Sequence, residues 1–205
     1  SYDAGFFSTD FATVAYSSAG VPLWTNRYNG PANYTDQAQA ITVDKDGNVL
    51  VTGNSRSSSS ANDPGYDFAT IKYSGMGIGL WTNRHGGVAN GDDRATTVVV
   101  NSAGNVVVGG LSTVGFNSFD YATVAYSRGG TPVWTNRYNG PGNSQDSVTA
   151  MAADGSGNVI VTGYSVGAGG YRDFATIKYS AAGVALWTNR YRGPLNGSDQ
   201  ASAVA

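Results

Sequence analysis

Residues 24–31 read WTNRYNGP, and the same eight letters return at residues 134–141. The shorter WTNR opens at Trp81 and again at Trp187, so the four Trp stand 57, 53 and 53 residues apart. Ahead of each lies a matching run: DFATVAYS from Asp10, DFATIKYS from Asp67, DYATVAYS from Asp120 and DFATIKYS from Asp173. Behind the Trp comes a Gly-rich bend, as in GPANYTD and GPGNSQD. Then follows AITVDKDGNVLVTG, with sister segments VVVNSAGNVVVGG and MAADGSGNVIVTG. Self-similarity at a fixed period of about 50 residues is the mark of a solenoid, a propeller or an array of small units.

One unit holds four strand-like runs, taken here from the expected axis outward. The first, Gln37 to Val43, alternates small and aliphatic residues. Asp44-Lys-Asp-Gly-Asn48 then supplies a hairpin turn, with Asp at its start and Gly where a positive φ is wanted. The second run, Val49 to Asn54, is β-branched and apolar. The third, Asp10 to Ser17 and its copies, sets Phe11 and Thr13 on one face and Val14 and Tyr16 on the other. A second hairpin carries Gly20, Gly77, Gly130 or Gly183 at one fixed place, where only Gly enters the left-handed region without steric cost. The fourth run is LWTNRY, with Trp24 and Tyr28 on one side and Leu23 and Thr25 on the other.

Both faces of these strands bear apolar groups, so each sheet should be covered on both sides. The expected fold is all-β: a β-propeller of four-stranded antiparallel blades in about four repeat units. A solenoid rung is shorter, and an immunoglobulin-type sandwich does not repeat internally.

Composition agrees. The chain has 29 Gly and 13 Tyr among 205 residues, no Glu, and only three Lys (Lys45, Lys72, Lys178), which favours turns and strands over helices. With no Cys, neither a disulfide framework nor a thiolate metal site is available. A net charge of −2 with few basic clusters argues against nucleic acid as a partner. No apolar run approaches the roughly 18 residues that span a bilayer, so no membrane insertion is expected. The wealth of Ser, Thr, Asn and Gly leans towards an extracellular or cell-surface setting, and no cofactor is called for.

The unit D-[FY]-A-T-[VI]-x-Y-S, then WTNR, then D-x-x-G-N-V-x-V-T-G, resembles the SBBP (seven-bladed β-propeller) repeat family of bacteria. That resemblance implies a propeller from large secreted or surface proteins, mostly without an assigned activity. The second unit departs from the pattern at His85, Asn101 and Gly109, which reads as drift because none of them removes a strand.

The expected boundaries are a partial blade over 1–35, blades over about 36–91, 92–145 and 146–198, and the start of a further blade over 199–205. That makes fifteen strands. The two ends together lack a second strand, so the chain is expected to be an arc or incomplete ring. Its partners would be other copies of itself or the remainder of a longer propeller chain, joined end to end as a ring or filament.

Catalysis finds little support: one His, no Cys, no Glu, no nucleophile elbow and no phosphate loop. The inner strands offer Ala38, Ala40, Ala95 and Ala150 rather than carboxylates. Asp10, Asp67, Asp120 and Asp173, with Arg27, Arg84, Arg137 and Arg190, occur once per blade; they are either repeated ligand contacts or, more plainly, a structural ion pair. Asp44, Asp46 and Asn48 resemble the start of a calcium loop but lack its terminal Glu, so a plain turn is the simpler reading. The loops joining blades carry Asn33, Tyr34, Asp36, Asn90, Asp93, Asn143, Asp146, Asn196 and Asp199. These are candidate contacts for surface glycans or proteins, against the alternative that Asn and Asp cap their own turns. Asn33-Tyr-Thr35 and Asn196-Gly-Ser198 match the glycosylation sequon by letter alone. A glycan-binding lectin is the alternative to a scaffold, and it requires exposed aromatics; the four Trp are instead expected to pack between blades.

Overall fold

The computed structural model describes residues 8–57, 65–87, 91–115, 118–194 and 197–205. Fourteen strands and no helix appear among them. β1 (Phe11–Tyr16) and β2 (Pro22–Tyr28) form a two-stranded sheet, the half-blade. The first full blade is β3 (Asp36–Val43), β4 (Val49–Arg56), β5 (Tyr66–Tyr73) and β6 (Gly79–His85). The second is β7 (Asp93–Val100), β8 (Val106–Gly115), β9 (Ser118–Tyr126) and β10 (Pro132–Tyr138). The third is β11 (Asp146–Ala153), β12 (Val159–Val166), β13 (Arg172–Tyr179) and β14 (Ala185–Tyr191). Every sheet is an antiparallel meander in sequence order, as expected of propeller blades.

Register repeats as strictly as the letters do. Phe68 faces His85 across β5 and β6, Phe11 faces Tyr28, Tyr121 faces Tyr138 and Phe174 faces Tyr191. Each first strand carries an irregularity after its third residue, at Ala38/Ala40, Ala95/Thr97 and Val148/Ala150. Between first and second strands, Asp44 Oδ1 accepts the amides of Asp46 and Asn48, both at 2.9 Å, which closes the turn around Gly47 at φ +78°.

The core lies between blades, in three clusters. Phe11, Trp24 and Tyr28 of the half-blade meet Val51, Ala69, Ile71 and Tyr73 of the first full blade. Leu50, Phe68 and Trp81 meet Val98, Val106, Val108, Val124 and Tyr126 of the next. Tyr121, Trp134 and Tyr138 meet Met151, Val161, Ile177 and Tyr179 of the last. Alternation thus sends Leu50 one way and its neighbour Val51 the other, so the first and second full blades each serve two cores and the third serves one. First strands adjoin: Thr96 Oγ1 donates to the Val148 carbonyl at 2.8 Å.

The joint itself is a repeated contact. Trp24, Trp81 and Trp134 lie against Tyr73, Tyr126 and Tyr179 of the following blade, with ring centroids 5.9, 5.9 and 5.8 Å apart. Each indole Nε1 donates to a hairpin carbonyl there: Gly75 at 3.0 Å, Arg128 at 3.2 Å, Ala181 at 3.1 Å. Asn26, Asn83 and Asn136, two residues on, donate to the carbonyls of Gly77, Gly130 and Gly183, each at 2.7 Å. These glycines serve twice. Their φ values are +80°, +88° and +82°, and a Cβ on any of them would fall 2.6–2.8 Å from the indole ring.

Two expectations need correction. Residues 199–205 form no strand, so fourteen strands replace fifteen among the described residues. The segment still occupies the first-strand position of a further blade, because Thr149 Oγ1 donates to the Ala201 carbonyl at 2.6 Å as Thr96 does to Val148. A ladder needs a partner, and no GNVxVTG segment follows it in these 205 residues. Nor is every sheet covered on both faces: Leu23, Leu80, Val133 and Leu186 on the outermost strands are exposed, since the outer strand meets a neighbour on its Trp side only. The half-blade and three blades make an arc that does not close into a ring.

The double role of the hairpin glycines separates two costs. Gly20, at φ +76°, has nothing within 4 Å of a would-be Cβ. Gly20→Ala should therefore cost only the left-handed penalty, about 1–2 kcal/mol, and Gly77→Ala about 1–3 kcal/mol more through collision with Trp24. Urea unfolding of both variants measures the difference; equal losses would contradict the joint.

Candidate functional site

The residues that recur once per blade are held inside the architecture. Asp10, Asp67 and Asp173 pair with Arg27, Arg84 and Arg190 across the third and fourth strands at 2.8, 2.8 and 2.9 Å. Arg84 also reaches the half-blade and second strand, donating through Nη1 to Tyr28 Oη at 3.1 Å and to Ser55 Oγ, and through Nη2 to the Ser55 and Arg56 carbonyls. Arg190 repeats this with Tyr138 Oη at 2.9 Å, Ser165 Oγ and the Ser165 carbonyl. For both guanidiniums burial lowers the pKa, but Tyr and Asp partners outweigh it and raise them above the ordinary value.

The blade between them breaks the pattern. His85 stands where Tyr28 and Tyr138 stand elsewhere, packing edge-on against Phe68 at 5.8 Å. Arg137 receives no phenol oxygen from it. It lies 3.7 Å from Asp120 and donates to the Ser112 carbonyl at 3.2 Å. Ser112 Oγ accepts nothing from Arg137, whereas its counterparts Ser55 Oγ and Ser165 Oγ accept from Arg84 and Arg190, and Asp120 Oδ1 is buried without a hydrogen-bond partner. One substitution in the sequence thus goes with altered contacts of Arg137 and Ser112 in the next blade.

Asp36, Asp93 and Asp146 lie at the heads of first strands, and Asp199 holds the corresponding place ahead of Ala201. Asp36, Asp93 and Asp146 are fully buried. Asp36 Oδ2 accepts the Gly30 amide at 2.6 Å, Asp146 Oδ2 the Gly140 amide at 2.6 Å, and Asp199 Oδ2 the Gly193 amide at 2.7 Å. Gly87 donates likewise to Asp93. Burial pushes the Asp36, Asp93 and Asp146 carboxyls above the usual value. These carboxylates hold the bend between blades. Asn33 and Asn143 carry positive φ, +51° and +44°, and their side-chain oxygens accept from Asn29 and Asn139 at 2.9 Å. Asn90 and Asn196, and most of the longest connection (58–64), lie outside the described residues.

Asp44, Asp46 and Asn48 form a turn with its charges already matched. Asp44 Oδ2 pairs with the buried Lys72 at 2.8 Å, and Asp46 pairs with Arg128 of the following blade. Burial would raise the Asp44 carboxyl, but Lys72 and Asn48 hold it below its ordinary value. Asp154 and Lys178 repeat the pair at 2.8 Å. In the middle blade Asn101 and Ala125 replace both members together, and Asn101 Nδ2 donates instead to the Gly157 carbonyl at 3.0 Å. No cluster of three His, Cys, Asp or Glu side chains occurs among the described residues.

What the repeat does not contain is a ladder of side chains on the loop rim. Arg56 lies 5.8 Å over Tyr34 and 5.6 Å over Tyr66, and Arg94 lies 5.2 Å over Tyr66 from the next blade. Asp92 accepts from Arg94 at 2.7 Å. Beside it, Asp92, Arg94, Leu111, Thr113, Gly115, Ser118 and Phe119 line an open groove of about 390 Å³. Of the ladder, sequence reading placed only Tyr34. The signal for the rest is departure from the repeat: Arg56 corresponds to Thr113 and Val166, and Arg94 to Gln37 and Ser147.

This geometry is that of a propeller-repeat array; among the described residues, the side chains of Tyr34, Arg56, Tyr66 and Arg94 on its loop rim depart from the repeat. Residues 24–59 match the family model described as SBBP, a beta-propeller repeat. That stretch carries the outer-strand Trp24 motif and the first two strands of the next blade, and its motifs return from Trp81 and Trp134. No curated protein matches the chain. No helix among the described residues is long and apolar enough to cross a membrane.

His85 gives the site its pH dependence. Burial lowers its pKa below the ordinary 6.5, Asp93 and Asp67 oppose this and Arg137 adds to it. The unfolded chain therefore binds the proton more readily, and stability falls as pH drops below 6.5 towards the folded pKa. His85→Tyr should abolish that fall and, by restoring the phenol for Arg137, raise Tm at pH 7 by about 2–4 °C for about 1 kcal/mol. Calorimetry from pH 7 to pH 5 reads both effects; an unchanged pH slope would contradict the assignment.

Proposed function

We propose that the chain is a non-enzymatic scaffold of propeller repeats, secreted or displayed on a bacterial surface, that assembles end to end and presents its loop rim to partners. The observation that carries this reading is where the recurring polar residues are used. Arg84, Arg190, Asp36 and Asp146 are all engaged in holding one blade or joining it to the next. Side chains so committed are not free to act on a substrate, whereas the rim carries the variation expected of a surface that meets partners. The Ser, Thr, Asn and Gly-rich composition supports an extracellular setting.

The ladder of Tyr34, Arg56, Tyr66 and Arg94 beside the rim groove favours a second reading, a lectin-like propeller for surface glycans. The Trp residues lend it little, because three of the four are committed to joints between blades. A glycan array separates the two. The scaffold reading expects no saturable glycan binding by the 205-residue chain. Binding that is lost on Tyr66→Ala, with the fold intact by circular dichroism, would replace it with the lectin.

A further inference from the structure

The two ends of the arc carry the two halves of the contact that joins its blades. On β14, Trp187 is 40 % and Tyr191 57 % exposed, whereas Trp24, Trp81 and Trp134 are half-buried against a following blade. On the half-blade, Tyr16 is 61 % exposed, although its counterparts Tyr73, Tyr126 and Tyr179 are buried beneath a Trp. Gly20 has the left-handed φ of +76° and open space where an indole covers Gly77, Gly130 and Gly183. The Ser18 and Gly20 carbonyls correspond to those that accept from Trp and Asn at every internal joint.

The inner layer shows the same complementarity. Ile41 on β3 is 61 % exposed, while its counterparts Val98 and Met151 are buried against the preceding blade. An open groove of about 370 Å³ lies beside it, lined by Ala12–Val14, Ala38–Ile41 and Val51. At the other end of the arc, residues 199–205 are already set in a first-strand position. Asp199 N donates to the Arg172 carbonyl at 2.7 Å, and Thr149 holds Ala201.

We propose that the 205-residue chain binds a second copy of itself head to tail through these faces. Trp187 of one copy lies against Tyr16 and over Gly20 of the next. Its Nε1 donates to the Ser18 carbonyl, and Asn189 donates to the Gly20 carbonyl. Residues 199–205 of the first copy enter the groove beside β3 of the second. The occupant is a second copy because the surfaces that would meet are the ones that already meet three times within the chain. Unlike faces are joined, so addition continues until the rotation per copy closes a ring or runs on as a string. The proposal rests on the scaffold reading and gives it a polarity.

Light scattering coupled to size exclusion, from about 1 to 100 μM, spans the range of transient interfaces and tests it. The wild-type chain should grow in mass with concentration. Trp187→Asp and Tyr16→Asp should each be monomeric alone, since every copy then lacks a tail or a head. Mixed in equal amounts they should form a dimer and nothing larger, through the one intact pair of faces. Leu23→Asp, on the water-facing side of the outer strand, should assemble as the wild type does. Both target side chains are exposed; should either Asp variant misfold by circular dichroism, Trp187→Ser and Tyr16→Ser repeat the test. A wild-type chain monomeric at the highest concentration, a single variant that still assembles, or a mixture without dimer would overturn the proposal. Any of these would remove end-to-end assembly from the proposed function and leave a scaffold that presents its rim alone, whereas glycan binding at the rim would remove the scaffold reading and leave the mixing result untouched.

Discussion

The joint between blades rests on an indole ring laid over a left-handed glycine of the following hairpin. Two constraints meet at that glycine. The hairpin needs a positive φ there, and the ring needs the space a Cβ would fill. The indole nitrogen then satisfies a hairpin carbonyl, and the neighbouring Asn satisfies the glycine's own. Because the Trp sits on an outer strand and the first strands adjoin on the inner side, neighbouring sheets are fixed at both edges, with the apolar core between them. The period of the sequence is therefore the period of this contact. A blade without a neighbour leaves its Trp-bearing or its Tyr-bearing face in water.

The middle blade shows how a repeat tolerates change. Asp44 and Lys72 form a buried pair, and Asn101 with Ala125 replaces both at once, so no buried charge is left without its partner. His85 is a different case. It replaces the tyrosine alone, and the arginine and serine that used the phenol are left with poorer contacts in the following blade. A paired substitution is absorbed, while an unpaired one is felt 52 residues along the chain, at Arg137.

Much of this was legible in the letters. The spacing of the Trp, the strand alternation at Phe11 to Tyr16 and the fixed hairpin glycines led to four-stranded meanders, because each is a local consequence of backbone geometry. The partners of these groups were less legible. Nothing local says that Lys72 reaches Asp44, or that Asp36 turns inward to a Gly amide, since such contacts join residues distant in sequence or hidden by folding. The rim ladder is illegible for another reason: Arg56, Tyr66 and Arg94 do not recur, so the repeat carries no signal for them. The missing fifteenth strand and the exposed Leu23 series follow from what lies beside a segment, which the segment cannot declare.

Native-state hydrogen exchange, followed strand by strand, tests most directly whether blades owe their stability to the joints. The account predicts slowest exchange in β8 and β9, which belong to the blade with a full blade on either side. It predicts faster exchange in β1 and β2, where only one face of the half-blade is covered. Uniform protection across all sheets, or greatest protection in the half-blade, would contradict it, because blades would then be stable on their own.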